Sequence, residues 1–188
     1  MIRAVEKVRE RLLRAARALE ASGVDYAVVD GNAVAAHVSR VDAAAVRTTR
    51  VVDLLLPMAS FDRAKQALES AGFVHRHVTG LGMPAGMEVF LDGPGASVRD
   101  ALHIIPAGEK IRPSDPCPAP AVSESEDGDQ FRLVTLDALV RMKLVSFRDK
   151  DRTHLRDLIE LGLVDGSWCG RFPEPLGGRL RLLIENPE

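Results

Sequence analysis

The sequence predicts an α/β (α+β) fold: a mixed sheet flanked by helices, with further helices at the C-terminal end. Three observations carry this. Apolar residues recur at helical spacing from Val5 to Leu19 and again after Thr135. Between these stretches lie short runs of strand length, apolar or alternating: "DYAVVD", "VVDLLLP", "FVHRHV", "MEVFLD" and "ALHIIPAG". Helical and strand-like segments alternate first and then give way to helices. The 188 residues, 46% hydrophobic and 28% charged, suit a single domain with enough apolar material for a core. We expect residues 1–134 to hold the sheet and 135–188 to be helical.

In chain order, Val5, Val8, Leu12, Leu13, Ala16 and Leu19 mark an amphipathic helix, with Gly23 as its stop. Asp25–Asp30 is a short strand. Gly31–Ser39, small and Ala-rich, is a short helix starting directly after it. Arg40–Arg50 is a polar connection. Val51–Pro57 is a strand, apolar nearly throughout as a buried sheet position requires. "SFDRAKQALESAG" is a second amphipathic helix, capped by Ser60 and ended by Gly72. "FVHRHV" alternates and reads as a half-exposed strand, and "GPGASVRD" supplies the turn between the two strands that follow. Residues 109–130, rich in Pro, Ser and acids, predict a long, poorly packed, exposed loop. A brief strand, two helices in series with Thr135 as cap, and one short helix after Pro173 complete the chain.

Net charge is −2, so the whole-molecule field offers no general attraction to nucleic acid or anionic lipid. Aromatic residues are only 4%, which argues against an extended base-stacking surface. Cys117 and Cys169 match no metal-ligand spacing and read as unpaired thiols in a reducing compartment. The first segment lacks a signal peptide's apolar middle, and no run approaches the roughly 20 apolar residues of a membrane helix. The expected location is cytoplasmic, with no membrane partner.

The chemistry centres on "RTTRVVDLLL", where Asp53 interrupts an apolar strand. Residues i and i+2 of a strand share a face, so acids at 51 and 53 would stand about 6–7 Å apart. Such a pair can share two divalent cations that clamp a phosphoryl group. A glycine-rich strand-to-helix turn upstream would offer backbone N–H groups to a triphosphate.

"YAVVDGNAVAAH", "RTTRVVDLLL" and "MKLVSFRDKDRTHLRDLIELGL" together resemble the nucleotidyltransferase superfamily related to DNA polymerase β, in particular its minimal bacterial branch that includes abortive-infection toxins. The resemblance spans Tyr26 to Leu163, and Lys150, Asp151, Asp157 and Leu158 fit the family's helical pattern. It implies a nucleoside triphosphate with magnesium or manganese, and an acceptor hydroxyl on RNA, protein or a small molecule. It also implies an antitoxin-like partner. Asp53 would be the catalytic carboxylate. Asp30, Gly31, Asn32, Arg47, Thr49, Lys143 and Lys150 would hold the nucleotide.

Departures from the pattern weigh on function. Asp30-Gly31 stands where a Gly-Gly turn is expected, Val51 where the first carboxylate is expected, and His103 in the slot of the third. Valine has no oxygen for magnesium, and histidine suits softer metals. Asp30 sets a negative charge at the triphosphate's place, a like-charge cost of about 4 kcal/mol at ~4 Å. The expectation is therefore reduced or absent metal-dependent transfer. Two alternatives stand beside it: a relocated metal site of Asp30, Asp53 and His103, suited to manganese or zinc, and a non-catalytic nucleotide- or partner-binding module. Plainer roles also exist. Asp53 could bind Arg47, Arg50 or a backbone N–H. His103 could be a hydrogen-bonded strand residue and His37 a packing residue. Lys143, Lys150 and Arg152 could form a solvated helix face.

Overall fold

The structure, a computed structural model, describes residues 2–79 and 86–187. A seven-stranded mixed sheet runs through it. The strands are β1 (Ala27–Val29), β2 (Val52–Leu56), β3 (Val74–Val78), β4 (Met87–Leu91), β5 (Ala101–Pro106), β6 (Ser125–Asp127) and β7 (Arg132–Val134). Their spatial order is β3-β4-β5-β2-β1-β7-β6. β2 lies parallel to β5 and antiparallel to β1, while β1 lies parallel to β7. The helices are α1 (Ile2–Ala21), α2 (Asp30–Ser39), α3 (Phe61–Ser70), α4 (Leu136–Ser146), α5 (Asp149–Glu160) and α6 (Leu176–Glu185).

The period of two along each strand divides the core into two layers. Val52, Leu54 and Leu56 of β2 pack with Leu102 and Ile104 of β5 against Leu12, Ala16 and Leu19 of α1 and Leu68 of α3. Leu55 of β2 and Val29 of β1 face the opposite way, onto Val34 of α2, Leu139 and Leu144 of α4 and Leu155 of α5. Leu54, Leu55 and Leu56 are fully buried, each side chain contributing roughly 1.5–3 kcal/mol of transfer free energy. Asp53 has the parity of Leu55, so it faces the layer of α2, α4 and α5. β2 tolerates a carboxylate because position 53 lies at the end of that face, where the helical layer leaves a cavity.

The helix stops at Gly23 and Gly72 form as expected, with φ of 62° and 88°, backbone that glycine adopts without a Cβ clash. Thr135 caps α4, its hydroxyl accepting from Ala138 N at 3.4 Å. Ser60 does not cap α3: it ends a 3-10 turn, Met58–Ser60, that runs directly into the helix, and its side chain makes no cap hydrogen bond. Within the expected polar connection, a short 3-10 turn, Ala43–Ala45, is capped by Asp42.

The segment 109–130 is the main correction. It is pinned at its base by Ala119 N donating to Glu109 O at 2.8 Å and Gly108 N to Pro120 O at 3.0 Å. Ala119 and Val122 enter the core, and Ile111 and Cys117 pack against it. Its end forms β6, paired with β7, and Glu124 is held by Arg141 at 2.6 Å. Composition misleads here because a few well-placed apolar residues suffice to anchor it, and its prolines lower the entropy lost on ordering. Both cysteines are free and half-buried. No helix among the described residues is long and apolar enough to cross a membrane.

Candidate functional site

β1, β2 and β5 line up so that Val29 pairs with Asp53 and Asp53 with His103. These three residues form the sheet side of a cavity of about 300 Å³. Lys143 and Ser146 of α4 and Asp151 of α5 close the helical side, and Ile111, Arg112 and Asp115 of the 109–121 strap cover a third. Val51 also lines the cavity and brings no polar atom.

Asp30 sits at the strand-to-helix turn with φ of 53°, the left-handed region where a non-glycine residue is strained. Its carboxylate is held by two lysines. One oxygen contacts the Lys143 ammonium, and the other accepts from Lys150 Nζ at 2.5 Å. Lys143 also donates to Asp151 Oδ1 at 2.9 Å. Asp151 is fully buried, and its second oxygen accepts from Ser146 Oγ at 2.7 Å, Arg148 Nε at 2.7 Å and Arg148 N at 3.1 Å. Phe147 makes this possible. It ends α4 with φ of 46°, so α5 doubles back and sets residue 151 beside residue 143.

The electrostatics follow from this packing. Burial pushes the Lys143 ammonium down to about 8, against the pull of Asp151. Burial also works against ionisation of Asp151, but Arg148, Lys143 and Ser146 overcome it and hold its carboxyl well below the usual range. The His154 imidazole, half-buried and near Lys143 and Lys150, is pushed down to about 4, chiefly by that burial.

The other corner is different. Asp53 Oδ1 lies 3.5 Å from His103 Nδ1, with both side chains about 15% exposed (14% and 15%). His103 Nε2 is 3.2 Å from Val98 O. A carbonyl only accepts, so Nε2 carries a hydrogen and Nδ1 is the nitrogen turned to Asp53.

The expected site residues divide. Asp30, Asp53, His103, Lys143 and Lys150 line the one cavity. Gly31, Asn32, Arg47 and Thr49 do not. α2 begins at Asp30, and each further helical residue turns the side chain by ~100°. Gly31 is therefore buried against Thr49, whose Cβ would lie 3.0 Å from any added Cβ. Asn32 donates to Val51 O at 2.8 Å. Asn32, Arg47 and Thr49 line a second cavity of about 330 Å³ between α1, α2 and the β6–β7 hairpin.

The plainer roles sort as well. Arg47 pairs with Asp157 at 2.6 Å and Arg50 with Asp100 at 3.1 Å, so neither serves Asp53. His37 is a buried packing residue, 3.0 Å from Val134 O. Lys143 is only 2% exposed and belongs to no solvated face, whereas Lys150 is 53% exposed. Arg152 pairs locally with Asp149. The sequence reading missed the roles of Ser146, Arg148 and His154. A signal existed in the spacing of Lys143 and Asp151 across a helix break, but no glycine or proline marks that break.

The site does not fit a pair of magnesium ions. Val51 has no donor, His103 stands where an oxygen ligand is needed, and Asp30 and Asp151 already hold an ammonium.

A mixed sheet with a strand-to-helix turn facing Asp53 across the β1–β2 pair is a fold that this chain shares with solved structures of nucleotidyltransferases. Among solved structures it is similar to a candidate nucleotidyltransferase from Helicobacter pylori, at 15% identity over 98% of this chain and 78% of that one, with a TM-score of 0.54. It is likewise similar to the antibiotic-resistance factor ANT(2'')-Ia, at 14% identity over 95% of this chain and 92% of that one, with a TM-score of 0.52. No family model and no curated protein matches the chain.

Proposed function

We propose that this chain is a nucleotidyltransferase-fold protein that does not carry out ordinary two-metal nucleotidyl transfer and keeps its cavity for binding a phosphate-bearing ligand, a nucleoside triphosphate being the class the fold suggests. One observation carries the reading. Asp53 is the carboxylate that β2 directs into the cavity, Val51 precedes it on the same face, and the nearby Asp30 and Asp151 are already compensated by Lys143, Lys150 and Arg148. Two-metal transfer needs carboxylates free to bridge cations. Lys143, Lys150 and Arg148 outnumber the two carboxylates they meet by one charge, and Arg112 at the cavity wall adds to the positive charge that phosphate would meet without metal.

The test is calorimetric titration of nucleoside triphosphates with magnesium, with manganese and with chelator. Binding that is equal with chelator and with magnesium is the expected result. Nucleotide transfer at an ordinary enzymatic rate with magnesium overturns the reading. The double variant Val51→Asp with Asp30→Gly restores a carboxylate pair and a turn residue at ease with positive φ, and should gain magnesium-dependent triphosphate binding. A folded double variant with no such gain counts against the lost-site explanation.

A second reading draws support from Asp53 and His103 standing 3.5 Å apart in the cavity. There a relocated site of Asp53 and His103, joined by Asp30 once it leaves Lys143 and Lys150, takes manganese and supports transfer to an RNA, protein or small-molecule acceptor, in the manner of toxins restrained by an antitoxin-like partner. Manganese-dependent transfer abolished by Asp53→Asn selects this reading.

A further inference from the structure

Four carboxylates and four lysine or arginine cations line the first cavity, but the carboxylates are not treated alike. Asp30 and Asp151 are held by Lys143, Lys150 and Arg148, and Asp115 accepts from Arg112 N at 2.8 Å. Asp53 is different. Among the described residues its carboxylate meets no lysine or arginine at ion-pair distance, only the His103 ring at 3.5 Å. An imidazole carries charge only when protonated. The Asp53 side chain is nevertheless only 14% exposed. A carboxylate so far withdrawn from water is costly to keep without a cation. Val51 and His103 make the place unsuited to magnesium, which needs several oxygen ligands. An organic ammonium needs no such ligand set, because its N–H groups donate directly to a carboxylate.

We propose that the cavity takes a small phosphate ester that also carries a primary amine, its ammonium on Asp53 and its phosphate on Lys150, Arg148 and Arg112. Lys150 and Arg148 are about half exposed, so each can reach a ligand while it holds its carboxylate. Lys150 has two N–H groups beyond the one given to Asp30. Arg112 is exposed, lines the cavity and pairs with no carboxylate through its side chain among the described residues. Val51, Ile105, Ile111 and Met142 add apolar wall suited to a short carbon skeleton. At about 300 Å³ the cavity stands at the bottom of the range of ligand pockets, which favours a small molecule. One ligand thereby meets both corners at once, and Asp53 discriminates it from a plain phosphate ester. The inference rests on the reading of the cavity as a phosphate site and adds the opposite charge that its ligand carries.

The experiment titrates the intact chain by calorimetry, with chelator so that no metal occupies Asp53, and at about pH 8, where free imidazole is neutral. The probes are aminoethyl, aminopropyl and aminobutyl phosphate, each against the alkyl phosphate of the same chain length. At least one amine should bind ~10-fold or more tightly than its alkyl counterpart, about 1.4 kcal/mol. Asp53→Asn should remove that preference, because the amide keeps the shape without the charge. Lys150→Ala should weaken both members of the pair. Equal affinity for amine and alkyl esters at every length overturns the proposal, and so does a preference that Asp53→Asn leaves intact. A nucleoside triphosphate titrated under the same conditions separates this inference from the proposed function. Triphosphate binding with no amine preference removes only the inference, whereas absence of binding by every ester and by the triphosphate removes both.

Discussion

The two corners of the cavity treat their carboxylates in opposite ways. At the helical corner, Asp30 and Asp151 are met by Lys143, Lys150, Arg148 and Ser146, and Asp151 is wholly enclosed. At the sheet corner, Asp53 faces one imidazole at 3.5 Å. The first corner is built like a part of the core that happens to be charged. The second is built like a site, with a polar group held in place and not fully satisfied. Perturbed groups in a cavity mark function more often than unperturbed ones, and the perturbed groups here, Lys143, Asp151 and His154, lie at the helical corner. That corner therefore joins the stability of α4–α5 to the positive charge that faces Asp53 and His103 across the cavity.

The largest expected effect breaks the helical corner. Asp151→Ala leaves Lys143 with Asp30 alone and removes the acceptor for Ser146 and Arg148, so it should cost about 3–5 kcal/mol. Urea unfolding measures it. A loss as small as that of Asp53→Asn would erase the contrast between the corners.

Acid should act on the helical side before it acts on the sheet. Burial lowers the His37 pKa below its ordinary 6.5 while its ring holds Val134 O. The sign follows from linkage: the unfolded chain takes up the proton first, so stability is fully present above about 6.5 and is lost as pH falls through it. His154, lowered to about 4, pulls in the same direction, and Asp151 extends the loss into the carboxylate range. His37→Gln keeps a donor for Val134 and should flatten the slope just below pH 6.5, as read from thermal melting against pH. An unchanged slope would assign the acid sensitivity to His154.

Smaller effects sharpen the comparison. Asp53→Asn should change stability by no more than about 1 kcal/mol, because its ion-pair contact among the described residues is with one imidazole at 3.5 Å. Its effect should appear instead in manganese or nucleotide binding. Arg47→Ala should be smaller still, a few tenths of a kcal/mol, since its pair with Asp157 is 59% exposed on the arginine side. Nucleotide affinity should not move, because Arg47 lines the second cavity.

Much of the architecture was legible in the chain. The first five strands, the helix stops at Gly23 and Gly72 and the Thr135 cap follow from periodicity and local backbone chemistry, which depend on near neighbours. The odd valine at 51 and the lone Asp53 were legible too, because strand parity fixes which residues share a face. Two errors have a common cause. Segment 109–130 was read from composition, yet contacts of Ala119 and Val122 with distant helices hold it. Gly31 and Asn32 were placed with Asp30 because they adjoin it, but a helix separates adjacent side chains by a third of a turn.

By itself the sequence determined the order of elements, the apolar faces of β2 and the shared face of Val51 and Asp53, since each rests on periods of two or 3.6 residues along the chain. Only the tertiary structure decided what the charged residues do. Whether Lys143 meets solvent or Asp151 depends on the backward turn at Phe147. Whether Asp30 repels a ligand or holds two lysines depends on α4 and α5 packing over β1. A charge's effect is set by its burial and its nearest partners, and those partners lie 113 and 120 residues away for Asp30.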